Sequence, residues 1–194
     1  MALNDRRLYR ACEADFAGLL HAARELAVTP QTATDICALV ERLRAITIQC
    51  YPASLHGHPS GLLLRGRPLC LILYERETSL WRQQGIILHE CGHLFYEHRG
   101  HEVGTAAALR VLMPDVSHDR IAVALPLATG NEGHRPQDER QAEAFATVGL
   151  ACLSRVRVAP QTPDQAAARH APPDDPAVAA VVRRLLEDFA EGQR

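Results

Sequence analysis

Apolar positions recur at helical spacing along the first part of the chain. Leu8, Cys12, Phe16, Leu19, Leu20, Ala23 and Leu26 fall on one stripe between residues 5 and 27, which predicts a packing helix ended by Thr29-Pro30. A second stripe, Ile36, Leu39, Val40, Leu43, Ile46 and Ile48, predicts a helix from about Thr32 to Cys50, stopped by Tyr51-Pro52. The grammar then changes. Leu62-Leu63-Leu64 and the run from Pro68 to Tyr74 flank Arg65-Gly66-Arg67 and read as a hairpin centred on Gly66, entered through a loop that carries His56 and His58. From Gly85 to Phe95 the apolar residues Ile86, Ile87, Leu88, Cys91, Leu94 and Phe95 cover most of a helical circumference, which predicts a buried helix.

Farther on, Ala106 to Met113 and Asp119 to Leu125 read as short helices, residues 129–136 as a loop and Asp138 to Thr147 as another helix. Residues 159–174 have the composition of a linker. Residues 175–194 predict a final amphipathic helix, with Asp175 as cap, Pro176 in the first turn and Val178, Val181, Val182, Leu185, Leu186 and Phe189 on one face.

The buried helix carries ionisable groups that need partners. His89-Glu90-Cys91-Gly92-His93 places two imidazoles four residues apart, hence on one helical face and within reach of a single tetrahedral zinc ion. Glu90 between them is in position to take a proton from an attacking water and return it to a leaving nitrogen, as in metal-assisted amide hydrolysis. The plain alternative is a solvated helix that happens to carry these residues. Burial argues against it, since polar ionisable groups in an apolar helix require partners and a metal supplies one.

Two histidines leave the zinc short of a ligand. Tyr96 and Arg99 occupy the positions where a metzincin has Gly and His, so the third ligand comes from elsewhere. On the helix 138–147, Glu139 and Glu143 share a face and Ala142 and Ala146 keep that side slim. Glu139 is the expected ligand and Glu143 the expected acceptor for the free ring N–H of a ligating histidine. The reverse assignment, an acidic helix start that binds nothing, and His101, Glu102, Asp115, His118 or Asp119 as the third ligand stay open. His134, in the loop leading to Glu139, is the expected donor to the oxyanion of the tetrahedral intermediate, with Tyr96 and His101 behind it.

His-Glu-x-Gly-His at 89–93, followed by Glu-x-Gln-Ala-x-x-Phe-Ala at 139–146 and preceded by Arg82, resembles the ImmA/IrrE metallopeptidases over about residues 30 to 155. The resemblance implies that His89, His93 and Glu139 hold zinc and Glu90 is the base. It also implies a protein substrate, a helix-turn-helix repressor in many of the family's systems, or a toxin-like role in a two-gene system. The chain departs from the family at Gly85-Ile86-Ile87-Leu88, at Glu143 where Asn or Asp is usual, and in the long stretch between the two motifs.

Composition narrows the setting. The 194 residues, 47% of them hydrophobic, suit one substantial core, taken here as a domain over residues 1–158. A formal charge of −2 argues against a nucleic-acid surface, and all 21 basic residues are arginine. No apolar run approaches a membrane span, no basic-then-apolar leader opens the chain, and the six cysteines lack Cys-x-x-Cys pairing. The expectation is a cytoplasmic, mainly helical α+β, zincin-like domain with a small sheet beside the active-site helix. Its expected activity is zinc-dependent endopeptidase, with a small-molecule zinc hydrolase or a non-catalytic binding module as the alternatives and the oligomeric state left open.

Overall fold

A computed structural model of the chain describes residues 3–53, 55, 60–65, 69–98 and 135–155. The expected short helices between residues 106 and 125, the linker, the final helix, His56, His58, His101, Glu102, Asp115, His118, Asp119 and His134 lie outside the described residues.

The long helix α1 (Leu3–Glu25) buries Cys12, Phe16, Leu19 and Ala23 of the stripe read from the sequence, with Leu8 and Leu20 partly buried, while Leu26 lies exposed past its end. Helix α2 (Ala33–Arg44) starts at a capping box, in which the Thr32 hydroxyl accepts from Asp35 N–H and the Asp35 carboxylate accepts from Thr32 N–H. It ends six residues earlier than the periodicity suggested. Ala45 takes up the left-handed conformation at φ 52°, and the chain leaves as strand β1 (Thr47–Ala53). The apolar helical stripe continued through Ile46 and Ile48 only by coincidence of spacing. Thr47, Ile48 and Tyr51 are β-branched or aromatic, and pairing with a neighbouring strand decided the conformation.

Strands β2 (Gly61–Arg65) and β3 (Leu69–Glu75) pair antiparallel as expected, with Gly61 opposite Tyr74; the turn expected at Gly66 lies outside the described residues. β1 pairs parallel to β3 on the other side, Thr47 opposite Leu69, so the sheet order is β1-β3-β2. Pro52 is tolerated because among the described residues β1 is an edge strand with a ladder on one side only. Residues 69–75 are the central strand, and the edge beside the helices is β2.

Helices α3 (Leu80–Phe95) and α4 (Pro136–Arg155) pack against each other and complete the core. Ser79 caps α3 by accepting from Arg82 N–H, and Arg44 anchors its other end by donating to the Phe95 carbonyl and pairing with Glu97 at 3.0 Å. Ile48, Leu63, Cys70, Ile72 and Tyr74, alternate positions of the strands, join Phe16, Ile87, Leu88, Cys91 and Phe145 in one cluster. Phe145 of α4 sits at its centre, with its ring centroid 5.0 Å from that of Phe16 and 5.2 Å from that of Phe95. The fold is therefore mainly helical α+β with a three-stranded sheet. All six cysteines are free, and among the described residues no helix is long and apolar enough to cross a membrane.

Candidate metal site

Two glycines and an alanine decide how close α3 and α4 come. A Cβ on Gly92 would stand 3.2 Å from the Cα of Ala142, and one on Gly149 would stand 3.0 Å from Leu88 Cδ1 and from Phe16 Cζ. Only hydrogen at those positions lets the backbones meet. The close approach carries Glu139, one turn before Ala142, across to the face of α3 that bears the histidines.

There the side chains converge. His89 Nε2 and His93 Nε2 are 3.1 Å apart, with Glu139 Oε2 3.3 Å from the first and Glu139 Oε1 3.6 Å from the second. One ligating atom from each of the three lies within 4.8 Å of the others, so the group could hold a metal ion. The spacing has a physical meaning. Ligands at zinc–donor distances of about 2.0–2.1 Å around a tetrahedron stand roughly 3.3 Å from one another, and the observed separations bracket that value.

The three side chains differ in exposure. His93 is fully buried and His89 and Glu139 are partly so, their side chains 0%, 23% and 43% exposed. Glu143 Oε2 faces His89 Nδ1 at 3.6 Å, where the sequence placed an orienting carboxylate; the separation is longer than a direct hydrogen bond. Glu90, the candidate base, is 3% exposed and sits against β2: a Cβ on Gly61 would be 2.7 Å from its Oε1 and 2.5 Å from Ile86 Cγ2. The glycine at the start of the edge strand makes the room in which the Glu90 carboxylate lies.

A cleft of about 830 Å³ runs over this constellation, lined by Ser60 and Gly61 of the β2 end, by Trp81, Arg82, His89 and Glu90 of α3 and by Glu139, Glu143 and Thr147 of α4. Trp81 and Arg82, both exposed, form its outer rim.

Tyr96, expected behind the oxyanion donor, is engaged elsewhere. Its hydroxyl donates to Asp15 Oδ2 at 2.9 Å and lies 3.3 Å from Cys12 Sγ, tying the end of α3 to α1. Burial, with the Cys12 thiol and the Asp15 carboxylate beside it, pushes the phenol well above its usual range, the opposite of what an acid poised for transfer needs.

Two residues were missed by sequence reasoning. His98 Nδ1 lies 3.1 Å from His93 Nδ1, and His98 Nε2 lies 3.1 Å from Gln141 Oε1. The turn that brings His98 back is made by Glu97 in the left-handed region at φ 53°, with His98 N–H donating to the His93 carbonyl at 3.0 Å. Nothing in the local sequence signals it, because the left-handed position is held by Glu rather than Gly. Gln141 stood inside the quoted second motif, on the same face as no predicted partner.

Compared with protein-family models, with curated proteins and with solved structures, the chain matches none.

Proposed function

We propose that this chain is a zinc-dependent endopeptidase with a zincin-like site, in which His89, His93 and Glu139 hold the metal and Glu90 is the general base and acid. The observation that carries the reading is the convergence of three ligating side chains from two helices, within 4.8 Å, beside a buried carboxylate and the edge strand of the sheet. The resemblance of residues 89–93 and 139–146 to the ImmA/IrrE metallopeptidases supports it, and supports a regulatory protein, such as a helix-turn-helix repressor, as the substrate class.

Lewis-acid polarisation of the scissile carbonyl and of the attacking water is the chemistry a bound zinc supplies. The chain provides the rest. Glu90, held between α3 and Gly61, accepts the proton the water loses as its oxygen bonds to the carbonyl carbon, and delivers that proton to the amide nitrogen as the C–N bond breaks. β2 gives an extended peptide a main-chain edge next to the carboxylate, and Trp81 and Arg82 offer an apolar and a cationic contact at the rim. An open cleft bordered by a strand edge suits a polymer better than a small metabolite, which a closed pocket would enclose.

Metal content and cleavage of a peptide library, read by mass spectrometry, test the proposal. Glu90→Gln is expected to retain zinc and lose hydrolysis by about 10²–10⁴-fold, while Glu139→Ala loses most of the zinc. Full zinc occupancy in Glu139→Ala would remove the ligand assignment, and a zinc-loaded wild-type chain that cleaves no peptide would remove the activity.

A further inference from the structure

His93 is the most enclosed member of the metal site, and both of its ring nitrogens have a neighbour. Nε2 faces His89 and Glu139, and Nδ1 faces His98 Nδ1 at 3.1 Å. A neutral imidazole has one N–H and one lone pair, so what His98 does on one side decides what His93 can offer on the other. On its far side His98 Nε2 faces Gln141 Oε1, an amide oxygen that can only accept. His98 Nε2 therefore donates to it, which leaves His98 Nδ1 as an acceptor. Across the 3.1 Å contact His93 Nδ1 must then be the donor, and His93 Nε2 is left with its lone pair pointing at His89 and Glu139.

We propose that His98 and Gln141 are positioning residues, a two-step relay that locks His93 in the tautomer a metal requires, with the proton on Nδ1 and the lone pair on Nε2. The role in metal binding rests on the zinc reading above; the direction of the hydrogen bonds does not.

Three further observations show that the relay is built in. His98 is 6% exposed, so water does not compete freely for its ring. Tyr96 stacks on it with centroids 5.5 Å apart and planes 22° from parallel, fixing the ring plane. The His93 carbonyl accepts from both His98 N–H and Arg65 Nη2, at 3.0 and 3.1 Å, pinning the backbone between the two rings. Among the described residues His89 Nδ1 faces a largely exposed carboxylate, that of Glu143, at 3.6 Å. His93 is the ligand whose orientation is fixed before a metal arrives, and His89 the one that adjusts.

The full-length chain tests this through two substitutions that keep the shape of the His98 side chain near Cγ. In His98→Asn the amide Oδ1 occupies the place of Nδ1 and can accept from His93; in His98→Leu a methyl occupies it and cannot. Ring ¹⁵N shifts of the metal-free protein report the His93 tautomer, and chelator competition reports the zinc dissociation constant. The wild type is expected to carry the His93 proton on Nδ1. His98→Leu is expected to give a mixture of tautomers and a dissociation constant raised about tenfold or more, and His98→Asn to restore both toward wild type. A wild-type His93 proton on Nε2, or a His98→Leu protein with unchanged tautomer and unchanged zinc affinity, would overturn the relay. If His98→Leu does not fold, the wild-type and His98→Asn spectra still decide it. A wild-type proton on Nδ1 in a chain that takes up no zinc would uphold the hydrogen-bond direction and defeat the metal reading instead.

Discussion

The distance between α3 and α4 is set at Gly92, and a single methyl group there tests whether helix packing places the metal ligand. A Cβ at residue 92 would meet Ala142 Cα at 3.2 Å and Phe145 Cβ at 3.3 Å, both closer than ordinary van der Waals contact. Neither neighbour can rotate away, because one is backbone and the other is the root of a ring packed between Phe16 and Phe95. α4 must therefore retreat by a few tenths of an ångström. Overpacking of this kind costs about 1–3 kcal/mol, against which replacing Gly by Ala inside a helix returns about 0.8–1 kcal/mol. The net loss is about 0–2 kcal/mol, or up to roughly 8 °C in Tm for a chain of this size. Glu139 lies three residues, about 4.5 Å of helix rise, from Ala142 and moves with it. Metal–ligand distances tolerate only about ±0.2 Å, so zinc affinity should fall about tenfold even where the fold survives. Gly85→Ala is the matched control on the same helix, since its Cβ would meet only the tip of Leu150 at 3.4 Å. It should gain about 0.5–1 kcal/mol and leave zinc binding unchanged. Thermal melts in excess chelator and chelator-competition titrations of both variants supply the comparison. A Gly92→Ala protein that matches Gly85→Ala in melting temperature and in zinc affinity would refute the reasoning.

Gly61→Ala should separate the base from the metal: its methyl would collide with Glu90 Oε1 and Ile86 Cγ2, at 2.7 and 2.5 Å, so hydrolysis should fall while zinc content holds, and loss of both together would show that β2 positions more than Glu90. Alkaline pH should weaken the fold. The phenols of Tyr96 and Tyr74 are pushed above 10.0 by burial, so in the folded state they keep protons that the unfolded chain releases. The unfolded state then binds fewer protons, and the stability these two phenols contribute, complete below pH 10.0, declines as pH rises past it. Tyr96→Phe should make that decline shallower in denaturant melts across the alkaline range, and an unchanged slope would mean that the Tyr96 phenol is not held protonated by the fold.

Much of the site was legible because its parts are local. Histidines four residues apart must share a helical face, and the apolar residues around them fixed α3 as buried. Glu139 could be found because Ala142 and Ala146 left that face of α4 small, a pattern that says which side another helix approaches. What the sequence could not give was contact order. Whether residues 47–53 continue a helix or join a sheet depends on β3, more than twenty residues away, and the isolated stretch satisfies the helical period well enough to mislead. The same reason hid the edge: the order β1-β3-β2 follows from which strand recruits β1, so the hairpin alone could not say that β2 would border the cleft. His98 was hidden by a backbone choice, since Glu97 in the left-handed region has no side-chain signature.

The packing that draws Glu139 inward also concentrates negative charge. Among the described residues three carboxylates line the cleft, Glu90, Glu139 and Glu143, against one guanidinium, that of Arg82, which stands two helical turns from His89 at the rim. Glu90 is buried against β2 and Glu139 is half covered by α3, so water screens these charges less than it would on an open helix. Among the described lining residues the carboxylates therefore outnumber the guanidinium. Converging donor atoms and an acidic lining both suit a cation at this place: the first depends on where the ligand atoms sit, the second on which residues line the cleft.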